Sequence, residues 1–428
     1  MRSGWLRGVL AACALLAITN CGGSGRTGYV YLASRASDPG LLTAYRVDLS
    51  KGTLNSSNGA LVQTGKSANT GTQPGPMIVD STNSFVFVAD YGNPLDPGSD
   101  NTKKNGDIAA FSIGKNGSIS SIGLTAMPAY KTQTVDLTGC ATLSPVGLAL
   151  DSQGKFLFVA AQAFFNADSS ATCSSSNQNG TRAAGVLVVF GVASGQVSPI
   201  SVTDIPVPPA APGTNIPQPS SVAVSNQGSF VYVTDFQNNT VVGFAYDSNG
   251  AVTPIPLTSP LLQFVTVGTG PNVVFSPPAA DFLYVGNFYS NDIYAYVINS
   301  DGSLTPVTGK AILGTGVGPT AMLTDPNAKY VYVLANGSAQ IVGYTLNHVT
   351  GALTAVGPNG GAVSTGIGPV AFTIRSDGTT SGNFWLFTSN LGSNTISSYS
   401  VNGSTGALAQ LPLLSVPGGG APFGIIAH

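Results

Sequence analysis

Short apolar runs that begin with an aromatic residue recur along the whole chain, and polar segments rich in Gly and Pro separate them. β-Branched and aromatic residues favour strands, whereas Gly and Pro favour turns. The pattern therefore predicts repeated copies of one β-rich unit and an all-β fold. The seven runs are YVYLAS from Tyr29, FVFVAD from Phe85, FLFVAA from Phe156, FVYVTD from Phe230, FLYVGN from Phe282, YVYVLA from Tyr330 and FWLFTS from Phe384.

Each run is followed by the same two features, which predict a second strand, a tight turn and a third strand. The second strand is marked by one aromatic residue: Tyr45, Phe111, Phe190, Phe244, Tyr296, Tyr344 and Tyr399. The turn carries a glycine that is followed two positions later by an aliphatic residue, which is typical of a β-hairpin. These glycines are Gly52, Gly117, Gly195, Gly250, Gly302, Gly351 and Gly406.

A proline followed by a short apolar strand precedes every aromatic-led run except the first. These prolines are Pro76, Pro145, Pro219, Pro271, Pro319 and Pro369, and the missing copy stands at residues 421–427. A ring of four-stranded sheets needs its last strand to pair with its first sheet, because an open seam would expose strand edges. The sequence thus predicts a seven-bladed β-propeller with four-stranded antiparallel blades, closed by pairing the C-terminal strand with blade 1.

The alternative of tandem β-sandwiches predicts no repeat shared between the two termini, so the propeller is favoured. Surplus residues fall in loops that this topology places on one face, called the top face. They are Tyr91 to Gly106, Gln162 to Ala184, and the links at residues 123–143 and 200–217. Long loops without secondary structure are often functional, so the top face is the expected site.

Charge is sparse in this chain and gives no basic surface. Charged residues make up 8% of the sequence, the net charge is −2, and all 18 acidic residues are Asp because Glu does not occur. This balance argues against a nucleic-acid partner.

The first 21 residues resemble a bacterial lipoprotein signal peptide. Arg2 and Arg7 precede a short apolar stretch from Val9 to Ile18, which is shorter than a membrane span, and Cys21 follows. We expect a signal at residues 1–21, a flexible tether at 22–28 and the propeller at 29–428. Lipidation of Cys21 would anchor the exported chain to a membrane, and simple cleavage would release it.

Two cysteines remain in the part that folds. Cys140 and Cys173 both fall on the predicted top face, and in an oxidising compartment they would form one disulfide. Two free thiols are the alternative.

The whole mature chain resembles the bacterial lactonase-like propellers, which include propeller-type 6-phosphogluconolactonases and YVTN-repeat surface proteins. FVYVTD, FLYVGN and YVYVLAN carry this resemblance. It implies a lactonase site with a His, a Glu and Arg residues around the top of the channel. The sequence departs from that pattern, because it has no Glu and its two histidines, His348 and His428, fall in a bottom turn and at the end of the chain.

The remaining polar candidates have ordinary structural explanations as well as functional ones. Asp90 and Asp235 end strands on the top face, but Asn287, Asn336 and Asn390 take the corresponding place in other blades, which is typical of turn formers. Asp96, Asp100, Asn101 and Asp107 could suggest calcium, yet no ordered loop motif is present, and a solvated loop is favoured. We expect no metal and no cofactor.

We therefore expect a monomeric, exported binding module whose top face contacts a protein, a glycan or a small molecule without catalysis. The candidate contact residues are Arg35, Asp90, Arg182, Asp235, Phe236, Phe288 and Tyr289. The alternatives are a lactone hydrolase with altered catalytic residues and a surface-layer or adhesion component.

Overall fold

The computed structural model describes most of the chain. It covers residues 27–54, 56–57, 60–61, 68–93, 105–131, 138, 140–165, 182–208, 216–257, 262–278, 280–307, 312–313, 316–357, 361–380, 382–412, 414–416 and 420–428. These residues form seven antiparallel blades in a ring, which confirms the predicted seven-bladed β-propeller. Among the described residues, none lies in a helix with the length and apolar character that crossing a membrane requires.

The first three blades contain the longest strands of the molecule. Blade 1 uses β1 (Thr27–Ser34), β2 (Leu41–Asp48), β3 (Thr53–Leu54) and β6 (Ala68–Asn69), while β4 (Ser56–Ser57) and β5 (Ala60–Leu61) form a small hairpin between them in the sequence. Blade 2 has β7 (Pro74–Val79), β8 (Phe85–Asp90), β9 (Asp107–Ile113) and β10 (Ile119–Ala126). Blade 3 has β11 (Ala141–Leu150), β12 (Phe156–Phe165), β13 (Arg182–Ala193) and β14 (Gln196–Asp204).

In blades 4 to 7 the outermost strand is split into two short pieces. Blade 4 has β15 (Pro219–Val224), β16 (Phe230–Asp235), β17 (Thr240–Tyr246), β18 (Val252–Pro254) and β19 (Phe264–Thr266). Blade 5 has β20 (Pro271–Phe275), β21 (Phe282–Asn287), β22 (Asp292–Ile298), β23 (Leu304–Pro306) and β24 (Ile312–Leu313). Blade 6 has β25 (Pro319–Thr324), β26 (Tyr330–Ala335), β27 (Gln340–Leu346), β28 (Leu353–Ala355) and β29 (Val363–Ser364). Blade 7 has β30 (Pro369–Ser376), β31 (Phe384–Asn390), β32 (Thr395–Val401), β33 (Leu408–Gln410) and β34 (Leu414–Ser415).

The ring closes through β35 (Pro422–Ala427), the last strand of the chain. β35 pairs antiparallel with β1, with Leu32 opposite Ile425, and it is the innermost strand of blade 1. The prediction of a shared first blade is therefore confirmed. After β3, β5 pairs parallel with β34 of blade 7 and does not extend blade 1.

The hydrophobic core lies in layers between neighbouring blades. The second strand of each blade is almost entirely buried; Phe230–Asp235 and Tyr330–Ala335, for example, are buried at every position. One such layer joins Tyr31 and Leu42 of blade 1 to Val86 and Phe111 of blade 2. The aromatic-led runs are strands because both of their faces pack against a neighbouring blade.

The hairpin glycine of each blade packs against an aromatic residue at or near the start of the second strand of the preceding blade. A Cβ atom at Gly302 would lie 2.5 Å from Cδ1 of Phe230, and the φ angle of Gly302 is +81°. Both the close approach and the left-handed backbone require glycine. The seven pairs are Gly52 with Trp385, Gly117 with Tyr29, Gly195 with Phe85, Gly250 with Phe156, Gly302 with Phe230, Gly351 with Phe282, and Gly406 with Tyr330.

Parts of the predicted top loops are strand instead. β12 and β13 extend the hairpin of blade 3 to Phe165 and from Arg182, and β10 and β14 continue to Ala126 and Asp204. One proline of the repeat was assigned wrongly from the sequence. In blade 2 the proline opposite Asp90 is Pro74, just as Pro219 lies opposite Asp235 in blade 4, so Pro74 and not Pro76 is the equivalent residue.

Candidate functional site

The innermost strands of the seven blades enclose a central channel. Its cavity has a volume of about 440 Å³ and is lined mainly by apolar residues such as Met77, Met322 and Phe372. Ser220, Asn272 and Thr320 of blades 4 to 6 add polar groups to one side of the wall. A cavity of this size suits a small organic molecule.

Seven equivalent residues surround the top opening of this channel, and we call them the mouth ring. In each blade, this residue comes directly after the residue of the second strand that pairs with the proline at the start of the innermost strand. In six blades the backbone N–H of this residue donates to a carbonyl just before the innermost strand of the same blade, as from Phe236 to Gln218 at 2.8 Å. The mouth ring consists of Arg35, Tyr91, Gln162, Phe236, Phe288, Asn336 and Leu391.

Polar members of the mouth ring join their own blade to the next one. Arg35 Nε donates to the Pro74 carbonyl at 2.7 Å, Gln162 Nε2 to the Pro219 carbonyl at 3.0 Å, and Asn336 Nδ2 to the Pro369 carbonyl at 2.7 Å. In each case the acceptor is the proline that opens the innermost strand of the following blade.

Arg35 is the single charged member of the mouth ring, and its guanidinium lies against two aromatic rings. Its Cζ atom is 3.5 Å from the centroid of Phe423 and 4.6 Å from that of Tyr91, which is cation–π geometry. Its Nη2 atom is buried and has no hydrogen-bond partner among the described residues. Burial lowers the pKa of Arg35, and Tyr91 and Asp90 oppose that change, so the group remains a cation at physiological pH.

Two carboxyl groups pair at the top of blade 2, and one of them, Asp90, acts electrostatically on Arg35. Asp90 ends β8, and Asp107 begins β9 directly opposite it. Burial, followed by the charge of Asp107, raises the pKa of Asp90 to about 9, and neither oxygen of the Asp90 carboxyl group has a hydrogen-bond partner among the described residues. Burial also raises the pKa of Asp107, to about 6. Both shifts favour the protonated form of these carboxyl groups.

The predicted aromatic candidates form one patch between blades 4 and 5. The ring centroid of Tyr289 is 5.4 Å from that of Phe236 and 5.3 Å from that of Phe288. Tyr289 is 63% exposed, whereas the other two rings are half-buried. Phe236 and Tyr289 also contact Gly270 at the start of blade 5, so the patch both packs loops and presents an exposed ring.

Asp235 is fully buried and organises its own turn. Its carboxylate accepts hydrogen bonds from the backbone N–H groups of Gln218, Gln237 and Asn238, at 2.9, 3.2 and 3.3 Å. This confirms the interpretation of Asp235 as a turn former. A ligand contact by Asp235 stays a prediction, and the same holds for the buried Asp90.

One equivalence proposed from the sequence was wrong. The residue of blade 6 that pairs with Pro319, as Asp235 pairs with Pro219, is Ala335 and not Asn336. Asn336 lies one position further along and belongs to the mouth ring, where its side chain bonds the next blade. Asn287 and Asn390 do occupy the corresponding position.

The remaining candidates cannot all be placed. Arg182 opens β13, but its side chain lies outside the described residues, as do Cys21, Cys173, Asp96, Asp100 and Asn101. Cys140 is half-buried and has an interaction partner. Because Cys173 lies outside the described residues, the Cys140–Cys173 disulfide stays a prediction. His348 lies in the turn between β27 and β28, and His428 follows β35; both are at the bottom, as expected.

Two aromatic residues of the site were not singled out from the sequence. Tyr91 stands in the same repeat position as Phe236 and Phe288, so alignment of the blades could have found it. Phe423 contacts Arg35 only because the C-terminal strand β35 forms the innermost strand of blade 1, where it packs against the innermost strands of blades 7 and 2.

Comparison with known proteins agrees with this architecture. Residues 219–365 match the family model described as lactonase, 7-bladed beta-propeller. No curated protein matches the sequence.

Solved structures with the same fold include two bacterial proteins of low sequence identity. The periplasmic gluconolactonase of Pseudomonas aeruginosa is 16% identical, with a TM-score of 0.69, over 94% of this chain and 99% of that one. A protein from Bacteroides fragilis, named as a candidate 6-phosphogluconolactonase, is 17% identical, with a TM-score of 0.66, over 94% and 98% of the two chains. Residues 219–365, which form blades 4 to 6, match the lactonase propeller family model, and the chain has the fold of a seven-bladed β-propeller.

Proposed function

We propose that the protein binds a small organic anion at the top of its central channel, through Arg35, and does not itself transform this ligand. The observation that carries the proposal is the position of the Arg35 guanidinium, which lies against Tyr91 and Phe423, two residues that line the cavity of about 440 Å³. A guanidinium donates two parallel hydrogen bonds to a carboxylate or a phosphate, and burial strengthens such a contact.

The wall of the channel suggests the remainder of the ligand. Asn272 offers an amide group on the side formed by blades 4 to 6. The hydroxyls of Ser220 and Thr320 on the same side donate to the carbonyls of Pro271 and Leu334 and are left to accept from a ligand, whereas Arg35 belongs to blade 1. A polyhydroxylated carboxylate, such as a sugar acid, would place its charged group at Arg35 and its hydroxyls along this wall. A cavity of about 440 Å³ favours a small ligand over a protein or a glycan chain.

Calorimetric titration with sugar acids, and with the corresponding neutral sugars, tests this proposal. We expect a sugar acid to bind and Arg35→Gln to weaken its binding about tenfold or more, because a charge-assisted pair contributes about 1.5–3 kcal/mol. Arg46→Gln is the matched control, since Arg46 is an exposed arginine of the same blade that bonds Thr27 at 2.7 Å.

Two results would overturn the binding proposal. One is equal affinity for acids and neutral sugars, and the other is an equal loss of affinity in Arg35→Gln and Arg46→Gln. Thermal unfolding of each variant separates a lost contact from a lost fold.

Lactone hydrolysis is the second candidate function. It is favoured by Asp107, a carboxyl with a pKa of about 6 that pairs with Asp90, which in turn acts electrostatically on Arg35. A base and a cation are the groups that acyl transfer needs. The names of the solved relatives point to the same chemistry. Acid release from a panel of sugar-acid and acyl lactones tests it, and turnover that is abolished in Asp107→Asn would replace the binding proposal.

The location of the protein is also part of the proposal. We propose export with a lipid on Cys21, a Cys140–Cys173 disulfide and a monomeric state; Cys21 and Cys173 lie outside the described residues. A globomycin-sensitive mass shift of the mature chain would support the lipid. A mature N-terminus at another residue would contradict it.

A further inference from the structure

The top of blade 2 differs chemically from the equivalent position of blades 4 to 7. There the last residue of the second strand faces the first residue of the third strand, and at least one of the two can donate a hydrogen bond. These pairs are Asp235–Thr240, Asn287–Asp292, Ala335–Gln340 and Asn390–Thr395. Blade 2 places Asp90 opposite Asp107, so two carboxyl groups face each other.

Hydrogen bonds in two blades show how the ordinary pairs work. Asn287 Nδ2 donates to Asp292 Oδ1 at 2.8 Å in blade 5, and Asn390 Nδ2 donates to Thr395 Oγ1 at 3.0 Å in blade 7. Two carboxylates have no proton to share in this way, and both are acceptors. Blade 2 can reproduce the bond of the other blades if one carboxyl stays protonated.

The surroundings of the pair leave its second charge uncompensated. Asp90 is fully buried, and the backbone of Gly71 covers Asp107, since a Cβ atom there would lie 2.3 Å from Asp107 Oδ2. The charged or titratable groups that face this region among the described residues are few. The charge of Arg35 in blade 1 interacts with Asp90, and the ring of Tyr91 lies against Arg35. Asp38 accepts a hydrogen bond from Thr72 at 3.0 Å, next to Gly71, which covers Asp107.

A single cation close to two buried carboxylates balances only one of them. The second negative charge would be buried without a partner, which is costly in a protein interior. A proton removes that charge and at the same time supplies the missing donor.

The position of the pair connects it to the mouth of the channel. Asp90 pairs with Pro74, whose carbonyl accepts the Nε bond of Arg35, and Tyr91 comes directly after Asp90. A change at the Asp90–Asp107 pair therefore acts on the Pro74 carbonyl and on the Tyr91 ring, the two groups of blade 2 that hold the Arg35 side chain.

We propose that Asp90 and Asp107 share one proton at neutral pH, and that its loss loosens the top of blade 2 and thereby makes the mouth of the channel sensitive to pH. This inference does not depend on the identity of the ligand, because it concerns the protein without ligand.

The direction of the pH dependence follows from the raised pKa values. An unfolded chain ionises both groups near pH 4, whereas the folded chain keeps a proton until the pH passes about 6 for Asp107 and about 9 for Asp90. Over this window the folded state binds more protons than the unfolded state, so stability falls as the pH rises.

Variants that copy the pairs of other blades of this protein test the proposal. Asp90→Asn reproduces the Asn–Asp pair of blade 5, and Asp90→Asn combined with Asp107→Thr reproduces the hydrogen-bonded Asn–Thr pair of blade 7. The control is Asp247→Asn, an exposed bottom-turn residue whose place in blade 5 is taken by Asn299.

The readouts are thermal unfolding of the full chain from pH 5 to pH 9 and the infrared C=O stretch of a protonated carboxylic acid at pH 7. We expect the Tm of the wild type and of Asp247→Asn to fall towards pH 9 relative to the Tm of the two pair variants. The acid band should be present in the wild type and the control, and it should be missing in both pair variants.

Three results would overturn the inference. They are the absence of the acid band from the wild-type chain at pH 7, the same pH slope of Tm in the wild type and Asp90→Asn, and a rise of Tm with calcium at pH 8 that both pair variants lose. The last result would show a cation between the carboxyls instead of a proton. The infrared band of the wild type decides the question even if a variant does not fold.

Discussion

Equivalent buried tyrosines in this propeller differ in whether their hydroxyl groups are hydrogen-bonded. Tyr284 donates to the carbonyl of Gly351 in the next blade at 2.6 Å, and Tyr232 and Tyr332 make the same bond to Gly302 and Gly406. Tyr31 takes this position in blade 1, but its hydroxyl is buried with no partner among the described residues. The aromatic residue stabilises the blade interface in all cases, and the hydroxyl contributes only where an acceptor is present.

Removal of the tyrosine hydroxyl should therefore lower the free energy of unfolding in blade 5 but not in blade 1. Tyr284→Phe should lower the free energy of unfolding by about 1–2 kcal/mol, because it removes a hydrogen bond and leaves the Gly351 carbonyl buried without its donor. Tyr31→Phe should leave the free energy of unfolding unchanged or raise it. Urea unfolding of both variants measures the difference, and equal losses would show that Tyr31 has a partner in solution.

The sequence could predict the aromatic position but not the bonding of each member. YVYLAS and FLYVGN give Tyr31 and Tyr284 the same place in the repeat. Whether a hydroxyl finds an acceptor depends on the hairpin of the following blade, where small shifts decide a hydrogen bond. The Asp90–Asp107 pair has the same origin, because the two residues are far apart in sequence and meet only when β8 pairs with β9.

At the scale of elements, the contact between a hairpin glycine and the aromatic residue of the preceding blade joins neighbouring sheets. Both positions are recognisable from the sequence in every repeat. The contact between them is not, because the glycine of one blade and the aromatic residue of another lie about one repeat apart. Asn336 was assigned to the wrong position for a similar reason. The end of its strand could be located only from the pairing of Pro319 with Ala335, which the sequence does not show.

A side chain at one of these glycines should weaken the interface between two blades. At Gly302 a Cβ atom would lie 2.5 Å from both Phe230 and Ile255, and φ is +81°. We expect Gly302→Ala to lower the free energy of unfolding by about 2–4 kcal/mol, through backbone strain together with overpacking. Urea unfolding measures the loss.

Gly154→Ala is the matched control for this substitution. The φ angle of Gly154 is +67°, and no atom lies within 4 Å of a Cβ placed there. It should show the backbone cost of about 1 kcal/mol alone. Equal losses in the two variants would mean that the glycine–aromatic contact contributes nothing beyond backbone conformation.

For the whole molecule, closure of the ring determines both stability and the site. β35 lies between blades 7 and 2, and Phe423 at its start brings an aromatic ring to Arg35. The shared repeat at residues 421–427 was enough to predict closure. The contact of Arg35 with Phe423 and Tyr91 needed the structure, because side-chain direction at the mouth is not a property of the repeat.

Removal of β35 should open the ring at blade 1. A chain that ends at Ala421 would lose the partner of β1 from Val30 to Ser34 and would expose Leu32 and Tyr31, which are at most 1% exposed in the closed ring. An unpaired, apolar strand edge promotes association with other chains. We expect a lower Tm and larger species on size exclusion, while a synthetic peptide of residues 420–428 should restore both towards the values of the intact chain.

Deletion of His428 alone is the control for this truncation. It removes the two backbone hydrogen bonds between Tyr29 and His428, at 3.0 and 2.8 Å, but keeps every residue of β35. Its Tm should stay close to that of the intact chain. If the chain that ends at Ala421 unfolds at the same temperature as the intact chain and stays monomeric, the other blade interfaces alone must hold the ring. The seam between blades 7 and 1 would then depend on contacts such as the bond from Trp385 Nε1 to the Leu49 carbonyl at 2.9 Å.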